Sequence, residues 1–488
     1  MRALEAGLAA IAVIALILSC VAMYYASVPT AAISGLGGEI SKLKDSINAL
    51  SKDLSALKKD VEALKGAPPP PPPVEKPLLE GFVLRVGVVQ PLTGAFAYEA
   101  ESGLYGMMMA AEEINAAGGI LGARIELFVE DFGGDPKVAA TAAEKLITVN
   151  RAHILRGSYT SSSMYAIMPV AEKYKCPVLT VGCSAKELVE QGWKYIFKTA
   201  PLSQDFANVS VIFLKKVIEP ELKPLIGGRP LRIAILHDKG LVAVSDKNEF
   251  LRFKDMIAPE WEIVAIETYD VGCPDFKPII EKLKALNVDV VGMSSFAGDG
   301  ALILKQSAEL GFKPYVFIGI GGGGTQAPKF IELSGPVVQY FFGGSEYWPD
   351  RQYPAPEKAR EFGGKFYRKW ARPLDFQSWT GYAGMYMIKQ VIETAAKKSP
   401  DTVKKAFEKD DVATIREIIR EGLATQKFYF DWVGELYFDS KGQMSSVVCV
   451  TQILPATPGD IWSVHGLTFR TVWPPPYNIT TPVFPWKK

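Results

Sequence analysis

The chain has 488 residues, enough for two or three domains, and 48% of them are apolar. Its 54 Lys and Arg residues nearly balance its 53 Asp and Glu residues, for a formal net charge of +1. No basic face for nucleic acid is therefore expected. The cysteines and histidines lack the short spacings of a zinc site, so no metal or cofactor is predicted. One or two disulfides are an alternative to free cysteines.

Residues 1–30 are predicted to anchor the chain in the cell membrane. Residues 6–28 form an apolar run long enough to span a bilayer, and no basic residue lies between Arg2 and Lys42. This charge distribution favours an uncleaved transmembrane helix with its N-terminus inside. The sequence ILSC resembles a lipobox, so lipidation of Cys20 is an alternative anchor, and complete release after cleavage is a third. All three outcomes place the rest of the chain outside the cytoplasm.

Residues 31–66 are predicted to form a coiled-coil stalk. Apolar residues alternate spacings of three and four along this segment, with Leu at every d position and mostly Ile or Val at a. Acidic residues at g precede lysines at e of the next heptad, as Asp53 precedes Lys58. This pattern favours a parallel homo-oligomer through residues 33–65. A single amphipathic helix is the alternative.

A polyproline linker is predicted at residues 67–80. An unbroken run extends from Pro68 to Pro73, and such a chain is extended and semi-rigid, at about 3.1 Å per residue. The run could also be a PxxP ligand, but the domains that bind such ligands are cytosolic. A spacer between the membrane and the remainder of the chain is therefore favoured.

From residue 82 onward, strand-like apolar runs alternate with helical periods, which predicts parallel sheets with helices on both faces. Four segments carry a more specific pattern: VLRVGVVQPLTG (83–94), EEINAAGGILGARIELFVEDFGGDP (112–136), RGSYTSSSM (156–164) and CPVLTVGCSAKEL (176–188). Together they resemble the branched-chain amino acid (Leu/Ile/Val) substrate-binding proteins of ABC importers, which have the type I periplasmic-binding fold. The resemblance is strongest in these segments and fades further along the chain.

The resemblance implies two α/β lobes with doubly wound parallel sheets and three hinge crossovers. The first lobe is expected to take residues 82–201 and 341–431, and the second lobe residues 202–340 and 432–463. Residues 464–488, rich in Pro and aromatic residues, are expected to pack as a surface strap. Proteins of this family close over a small ligand and dock on an ABC permease, so the resemblance implies transport without catalysis.

Candidate ligand contacts in the first lobe follow two predicted strands. Ligands of open α/β sheets bind beyond the carboxyl ends of strands, where amides at helix N-termini attract a carboxylate. The resemblance implies that Ser161 binds the ligand carboxylate and that Gly182 and Ser184 contact its carboxylate and α-amino group. Both serines could instead only cap helices. The candidate set also includes Ser162 and Cys183.

One aromatic candidate lies earlier in the first lobe. Tyr98 follows the PLTG turn, near the position of an aromatic residue that covers the ligand in the family. A loop tyrosine often serves packing alone, and that alternative stays open for Tyr98.

The second lobe departs from the family pattern. The resemblance implies tyrosines at two cleft positions, where this chain has Phe296 and Val242. The acid that pairs with the ligand's ammonium group falls near Gly321, within a run of glycines. A buried ammonium group without a partner costs several kcal/mol. An amino acid ligand therefore requires another acid, for which Asp299 and Glu346 are the candidates.

The sequence thus predicts an extracytoplasmic receptor for a small carboxylate. A branched-chain or other apolar amino acid is the favoured ligand, with an amine-free organic acid as the alternative. A ligand-sensing ectodomain is an alternative function, because a dimeric stalk suits a receptor. The run GIGGGG (319–324) matches a dinucleotide pattern, but Pro328 interrupts the helix that should follow, so no nucleotide is expected. Hydrolase motifs such as GxSxG and HExxH are absent from the sequence, and no enzyme activity is predicted.

Overall fold

The structure, a computed structural model, describes the following residues: 37–63, 76–345 and 356–485, apart from 432, 461 and 476. The chain divides into two units, residues 1–76 and residues 77–488. The predicted anchor and the polyproline run lie outside the described residues. Within the described part of the chain, no helix combines the length and the apolar character that crossing a bilayer requires.

The first unit is described by one helix, α1 (Gly37–Ala63), which covers most of the predicted heptads. Four of its heptad side chains are 43% to 67% exposed: Leu43, Ile47, Leu50 and Leu54. The predicted stalk is therefore helical over these residues, and its pairing with a second chain stays a prediction.

Five strands form the sheet of the first lobe: β1 (Val83–Gln90), β2 (Arg124–Asp131), β3 (Ile154–Arg156), β4 (Val178–Leu179) and β5 (Ile196–Phe197). They lie in the order β2-β1-β3-β4-β5, and all their pairings are parallel. Strand β1 is an apolar run buried along most of its length, as a sheet covered on both faces requires.

Three helices connect these strands: α2 (Ala97–Ala116), α3 (Pro136–Thr148) and α4 (Ser161–Lys173). Helix α3 shows why the sequence folds this way locally. Asp135 caps it by accepting a hydrogen bond from the Lys137 amide at 2.7 Å, and Pro136 occupies the first turn, where no amide donor is needed.

The chain then enters the second lobe. Its strands here are β6 (Arg232–Asp238), β7 (Glu262–Tyr269), β8 (Val290–Ser294), β9 (Val316–Gly319) and β10 (Phe342–Ser345). Its helices are α5 (Ser203–Phe213), α6 (Glu219–Leu222), α7 (Leu241–Ile257), α8 (Lys277–Ala285), α9 (Ala297–Glu309) and α10 (Pro328–Ser334). Apolar cores lie on both faces of this sheet, as a doubly wound fold requires.

A return segment packs on the first lobe: α11 (Pro356–Trp370), α12 (Phe376–Lys398), α13 (Pro400–Glu408), α14 (Val412–Thr425) and the antiparallel hairpin of β11 (Lys427–Phe430) and β12 (Gly434–Tyr437). Phe428 and Leu436 of the hairpin are buried in the same core as β1 and α12. The boundary predicted between residues 431 and 432 therefore falls inside the hairpin, because its apolar side chains are covered by the first lobe.

The last two strands, β13 (Cys449–Pro455) and β14 (Leu467–Trp473), return to the second sheet. The full order there is β14-β13-β10-β9-β8-β6-β7, antiparallel at β13 and parallel from β10 to β7. Residues 464–488 were expected to form a surface strap, but β14 lies within them. Its β-branched and aromatic residues extend the sheet and are mostly buried. The chain thus crosses between the lobes three times.

Candidate ligand-binding cleft

Ser161 and Ser162 open helix α4, beyond the carboxyl end of β3. The N-cap residue of this helix is Thr160, whose hydroxyl donates to Ser163 Oγ at 2.8 Å, so Ser161 does not fill the capping position. Ser161 is 2% exposed, and its Oγ accepts a hydrogen bond from the Ala185 amide at 3.3 Å. Hydroxyls and amides at a helix N-terminus are the donors that bind an anion.

Gly182 and Cys183 lie in a tightly packed loop after β4. A Cβ on Gly182 would be 3.2 Å from the Tyr159 carbonyl oxygen. Cys183 has a left-handed backbone (φ 72°), and its thiol donates to the Ser158 carbonyl at 3.0 Å. Burial raises the pKa of this thiol to about 12, which keeps it protonated and unreactive. Cys176, Cys183 and Cys273 form no disulfide, although the sequence left one or two disulfides open.

Ser184 is brought close to Ser161 by the same loop, because Ala185, which donates to Ser161, directly follows it. The Ser184 carbonyl accepts from the Ser203 amide at 2.7 Å and from the Ser203 hydroxyl at 3.2 Å. Only a short 3₁₀ turn (Lys186–Val189) follows, with Ala185 at its N-cap, where the sequence suggested a longer helix. Ser184 therefore does not cap a helix.

The glycine run of the second lobe packs closely against other parts of the chain. A Cβ on Gly322 would lie 2.3 Å from Ser184 Oγ, and one on Gly324 would lie 2.4 Å from the Ala297 amide nitrogen. Side chains at these positions would clash, so close packing accounts for the glycines. This packing explains the GIGGGG sequence without a nucleotide.

Asp246, on helix α7, lies where a side chain on Gly321 would project. A Cβ on Gly321 would be 1.8 Å from Asp246 Oδ2 and 2.5 Å from Oδ1. Asp246 is fully buried, and its Oδ2 accepts from the Ser294 hydroxyl at 2.8 Å. Its Oδ1 has no hydrogen-bond partner among the described residues. Burial raises the pKa of Asp246 to about 7, against the opposing effect of the Ser203 and Ser294 hydroxyls.

Aromatic side chains from both lobes meet beside these polar groups. The Phe296 ring centroid lies 4.6 Å from that of Phe96, edge to face, and 6.0 Å from that of Tyr159. Val242, in the first turn of α7, is buried against the apolar core of the first lobe. These side chains form an apolar cluster between the lobes, and an uncharged ligand side chain packs on apolar groups of this kind.

Tyr98 lies between cations from two other segments. Its ring centroid lies 4.4 Å from the Arg372 guanidinium and 5.4 Å from Lys329 Nζ, and its carbonyl accepts from Arg372 at 3.2 Å. One of these cations, Arg372, precedes α12, and the other, Lys329, belongs to α10 of the second lobe. The role of Tyr98 in ligand binding stays a prediction.

Of the two acids suggested for an ammonium group, Asp299 accepts hydrogen bonds from the Gly272 amide at 3.0 and 3.1 Å. It is engaged by the turn after β7. Glu346 lies outside the described residues. In the described part of the chain, no cluster of His, Cys, Asp and Glu is arranged to hold a metal ion.

Polar contacts join the lobes next to the cleft. Ser162 Oγ accepts from the Leu241 amide at 3.2 Å, and Ser245 Oγ accepts from the Lys186 amide at 3.4 Å. Lys186 Nζ pairs with Glu249 Oε1 at 2.6 Å. These contacts hold α7 against the first lobe, so the structure has the two lobes in contact.

The sequence interpretation missed Asp246, Ser203 and Phe96. One signal could have identified Asp246, because α7 buries Val242, Asp246 and Glu249 on a single face. Acidic residues within the buried stripe of an amphipathic helix need polar partners and therefore mark a polar contact.

Comparison with known proteins agrees with this architecture. The family model described as periplasmic binding protein matches residues 83–453. Leu/Ile/Val-binding protein homolog 7 of Brucella melitensis biotype 1 is 26% identical over 336 residues, which cover 67% of this chain and 82% of the relative.

Solved structures show the same fold. The leucine-binding protein LivK of Thermotoga maritima has a TM-score of 0.64 at 21% identity, covering 80% of this chain and 99% of that chain. A solute-binding protein of an ABC transporter from Rhodopseudomonas palustris BisB5, in complex with 3,4-dihydroxybenzoic acid, also has a TM-score of 0.64, at 17% identity, covering 83% of this chain and 99% of that chain.

The family match runs from the first strand of the first lobe into β13 of the second lobe. It therefore spans both lobes and the cleft between them. Proteins of this kind bind solutes and are not enzymes, in agreement with the sequence prediction. The chain belongs to the periplasmic binding protein family, and its relatives are the Leu/Ile/Val-type substrate-binding proteins of ABC transporters.

Proposed function

We propose that this chain is the membrane-anchored, extracytoplasmic substrate-binding protein of an ABC importer, and that it closes over a small carboxylate, foremost an apolar α-amino acid. One observation carries the proposal. Ser161 and Ser184 are both buried beyond strand ends of the first sheet, and Ser184 packs against Gly322 of the second lobe. Anion donors at a contact between two lobes are the arrangement that closure over a carboxylate requires.

The ligand carboxylate would accept hydrogen bonds from the hydroxyls of Ser161 and Ser184 and from amides at the start of α4. Ser162, Gly182 and Cys183 would complete this half of the site, mainly through their backbone. Hydrogen bonds to a charged group contribute about 1.5–3 kcal/mol each. A ligand that also contacts the second lobe stabilises the closed state.

The ligand side chain would pack on the apolar wall of Phe96, Tyr159, Phe296 and Val242. Full burial of a leucine-sized side chain stabilises the complex by about 1.5–3 kcal/mol. The backbone at Gly321 would face the ligand from the second lobe. This wall favours apolar ligands over charged ones, because no ion-pair partner for a charged ligand side chain lies among these four residues.

A thermal-shift screen of the full chain in mild detergent tests this proposal. The ligands are leucine, isoleucine, valine, the other amino acids, and aliphatic and aromatic acids without an amine. A ligand at a hundredfold excess over its Kd stabilises the protein by about 2.7 kcal/mol. We expect the largest shifts with the branched-chain amino acids. The proposal is wrong if no carboxylate in the panel raises the melting temperature.

An amine-free organic acid is the second candidate ligand. Gly321 stands where the resemblance places the ammonium partner, and one structural neighbour holds 3,4-dihydroxybenzoic acid. In this case benzoate-type acids would stabilise the chain and amino acids would not. The same screen separates the two candidates.

The anchor and the stalk belong to the same proposal. Residues 6–28, or a lipid on Cys20, would hold the chain at the membrane, and α1 would pair with a second copy through its exposed heptad positions. Light scattering should find a dimer for the full chain and a monomer for a chain beginning at residue 76. Leu50→Lys should weaken the dimer, whereas Ser55→Lys, outside the a and d positions, should not.

The permease partner is proposed from the family. A ligand-sensing ectodomain is the second function, favoured by the exposed apolar stripe of α1, which would suit a dimeric receptor. Uptake of radiolabelled ligand distinguishes the two functions. If the protein serves import, uptake should disappear when either this protein or the permease is deleted. If the protein is a sensor, deleting it should leave uptake through the permease unchanged.

A further inference from the structure

One buried acid of the second lobe, Asp246, is only partly hydrogen-bonded. The carboxylate of Asp246 occupies the space above Gly321, so close that a Cβ on Gly321 would overlap it at 1.8 Å. The two residues come from separate segments, helix α7 and the glycine loop after β9. Asp246, on α7, therefore fills the space that a side chain at position 321 would occupy.

The carboxyl group of Asp246 is incompletely hydrogen-bonded. Its side chain is fully buried, Ser294 satisfies only Oδ2, and Oδ1 is unpartnered among the described residues. Lys186 and Arg252 pair with Glu249 of the same helix and not with Asp246. A buried carboxylate left in this state is costly, and a bound cation would compensate it.

Asp246 lies close to the residues that we propose to bind the ligand carboxylate. Ser203 donates twice to the Ser184 carbonyl, and its hydroxyl also lies close enough to Asp246 to affect its pKa. Gly322, adjacent to Gly321, packs against Ser184 Oγ. In an α-amino acid the carboxylate and the ammonium share one carbon atom, so their partners must be neighbours. Ser184 and Asp246 meet this condition.

We infer that Asp246 binds the α-ammonium group of an amino acid ligand, and that it does so from α7, in place of an acid at position 321. The inference rests on the proposed function, because it specifies which small carboxylate the cleft selects. It also assigns the charge to Asp246 and not to Asp299, which the Gly272 amide already engages.

Pairs of ligands that differ only in the amine test the inference by titration calorimetry on the full chain. The probes are L-leucine with 4-methylpentanoate, L-valine with 3-methylbutanoate, and L-phenylalanine with 3-phenylpropanoate. We expect the wild-type chain to prefer the amino acid of at least one pair. Asp246→Asn should weaken that amino acid by about 30-fold or more and leave its amine-free partner unchanged or tighter. Asp299→Asn is the matched control and should retain wild-type affinity.

The outcomes separate the inference from the proposed function. Wild-type affinity of Asp246→Asn for the amino acid, or a wild-type preference for the amine-free acids, would overturn the inference and leave a carboxylate receptor. Binding of no probe to the wild-type chain would remove the proposed function and the inference together. If Asp246→Asn does not fold, we would measure proton release when an amino acid binds to the wild-type chain near pH 6.5. Release is expected because the ammonium group of the ligand ionises Asp246. Absence of proton release would contradict the inference.

Discussion

The two lobes build their shares of the cleft in different ways. In the first lobe, Ser161 and Ser184 each follow closely after the end of a strand, β3 and β4, so a short local segment sets their position. In the second lobe, α7, the glycine loop and the start of α9 come from distant parts of the chain and meet by packing. The serines that we propose to bind the ligand carboxylate are therefore placed by local structure, whereas the groups of the second lobe that we propose to select the ligand are brought together by tertiary packing.

Gly322→Ala should have the largest effect, because this residue is the point where the halves touch. The new Cβ would lie 2.3 Å from Ser184 Oγ and 2.7 Å from Ser184 Cβ, which prevents full closure. Overpacking of this kind costs about 3 kcal/mol, so we expect affinity for L-leucine to fall roughly 100-fold by calorimetry. Gly298→Ala, which meets nothing within 4 Å, is the control. Equal affinity of both variants would show that the lobes need not meet here.

Ser184→Ala tests the first lobe alone. The substitution removes one donor to the ligand carboxylate, and we expect a loss of about 10- to 30-fold in affinity. The loss should be the same for L-leucine and for 4-methylpentanoate, since both carry the carboxylate. Thr148→Ala, at an exposed helix end, should change neither affinity. A loss confined to L-leucine would mean that the lobes do not divide the ligand as proposed.

The pH dependence should come from the second lobe. The pKa of the Asp246 carboxyl is about 7 in the folded chain against an ordinary 3.8, so between about pH 4 and pH 7 the folded chain holds a proton that the unfolded chain has lost. The free energy of unfolding of the unliganded chain therefore falls as pH rises through this window. Affinity for L-leucine should rise in the same window, by up to about tenfold per pH unit, because the ammonium pairs with the ionised carboxylate.

Asp246→Asn identifies the group responsible. Besides burial, Asp238 and Glu187 also raise the pKa of Asp246, and the Ser203 and Ser294 hydroxyls lower it. Denaturant unfolding and calorimetry between about pH 5 and pH 8 should show that the variant loses part of the stability dependence and most of the affinity dependence. An unchanged pH profile in the variant would assign the titration to Asp238, whose pKa is raised to about 6 by burial.

The smallest effect should come from the rim of the cleft. Lys186→Met removes an ion pair between the lobes, but Glu249 keeps Arg252 as a partner at 2.6 Å. Since Lys186 is partly exposed, affinity should fall only about two- to fivefold, and less at high salt. Lys282→Met breaks a pair with Glu267 inside the second lobe and should leave affinity unchanged. An equal loss in both variants would show that the contact does not act through closure.

Sequence patterns predicted the parallel α/β fold well, because strands buried on both faces are continuous apolar runs and helices between them are periodic. The patterns were less informative about which lobe the later segments of the chain join. The hairpin at residues 427–437 and strand β14 carry ordinary strand patterns, and nothing local says which lobe covers them. Tyr98 illustrates the same limit, since its ring packs against Arg372, far along the sequence.

The sequence by itself determined the family, the alternation of strands and helices, and the serines at strand ends, because each of these depends on residues close together in the chain. Only the tertiary structure decided which acid of the second lobe lies beside Gly321. Residue 321 is a glycine, and its sequence neighbourhood offers no acid. Asp246 reaches the same space because the packing of α7 beside the loop after β9 brings together residues 75 positions apart, a relation that no local pattern encodes.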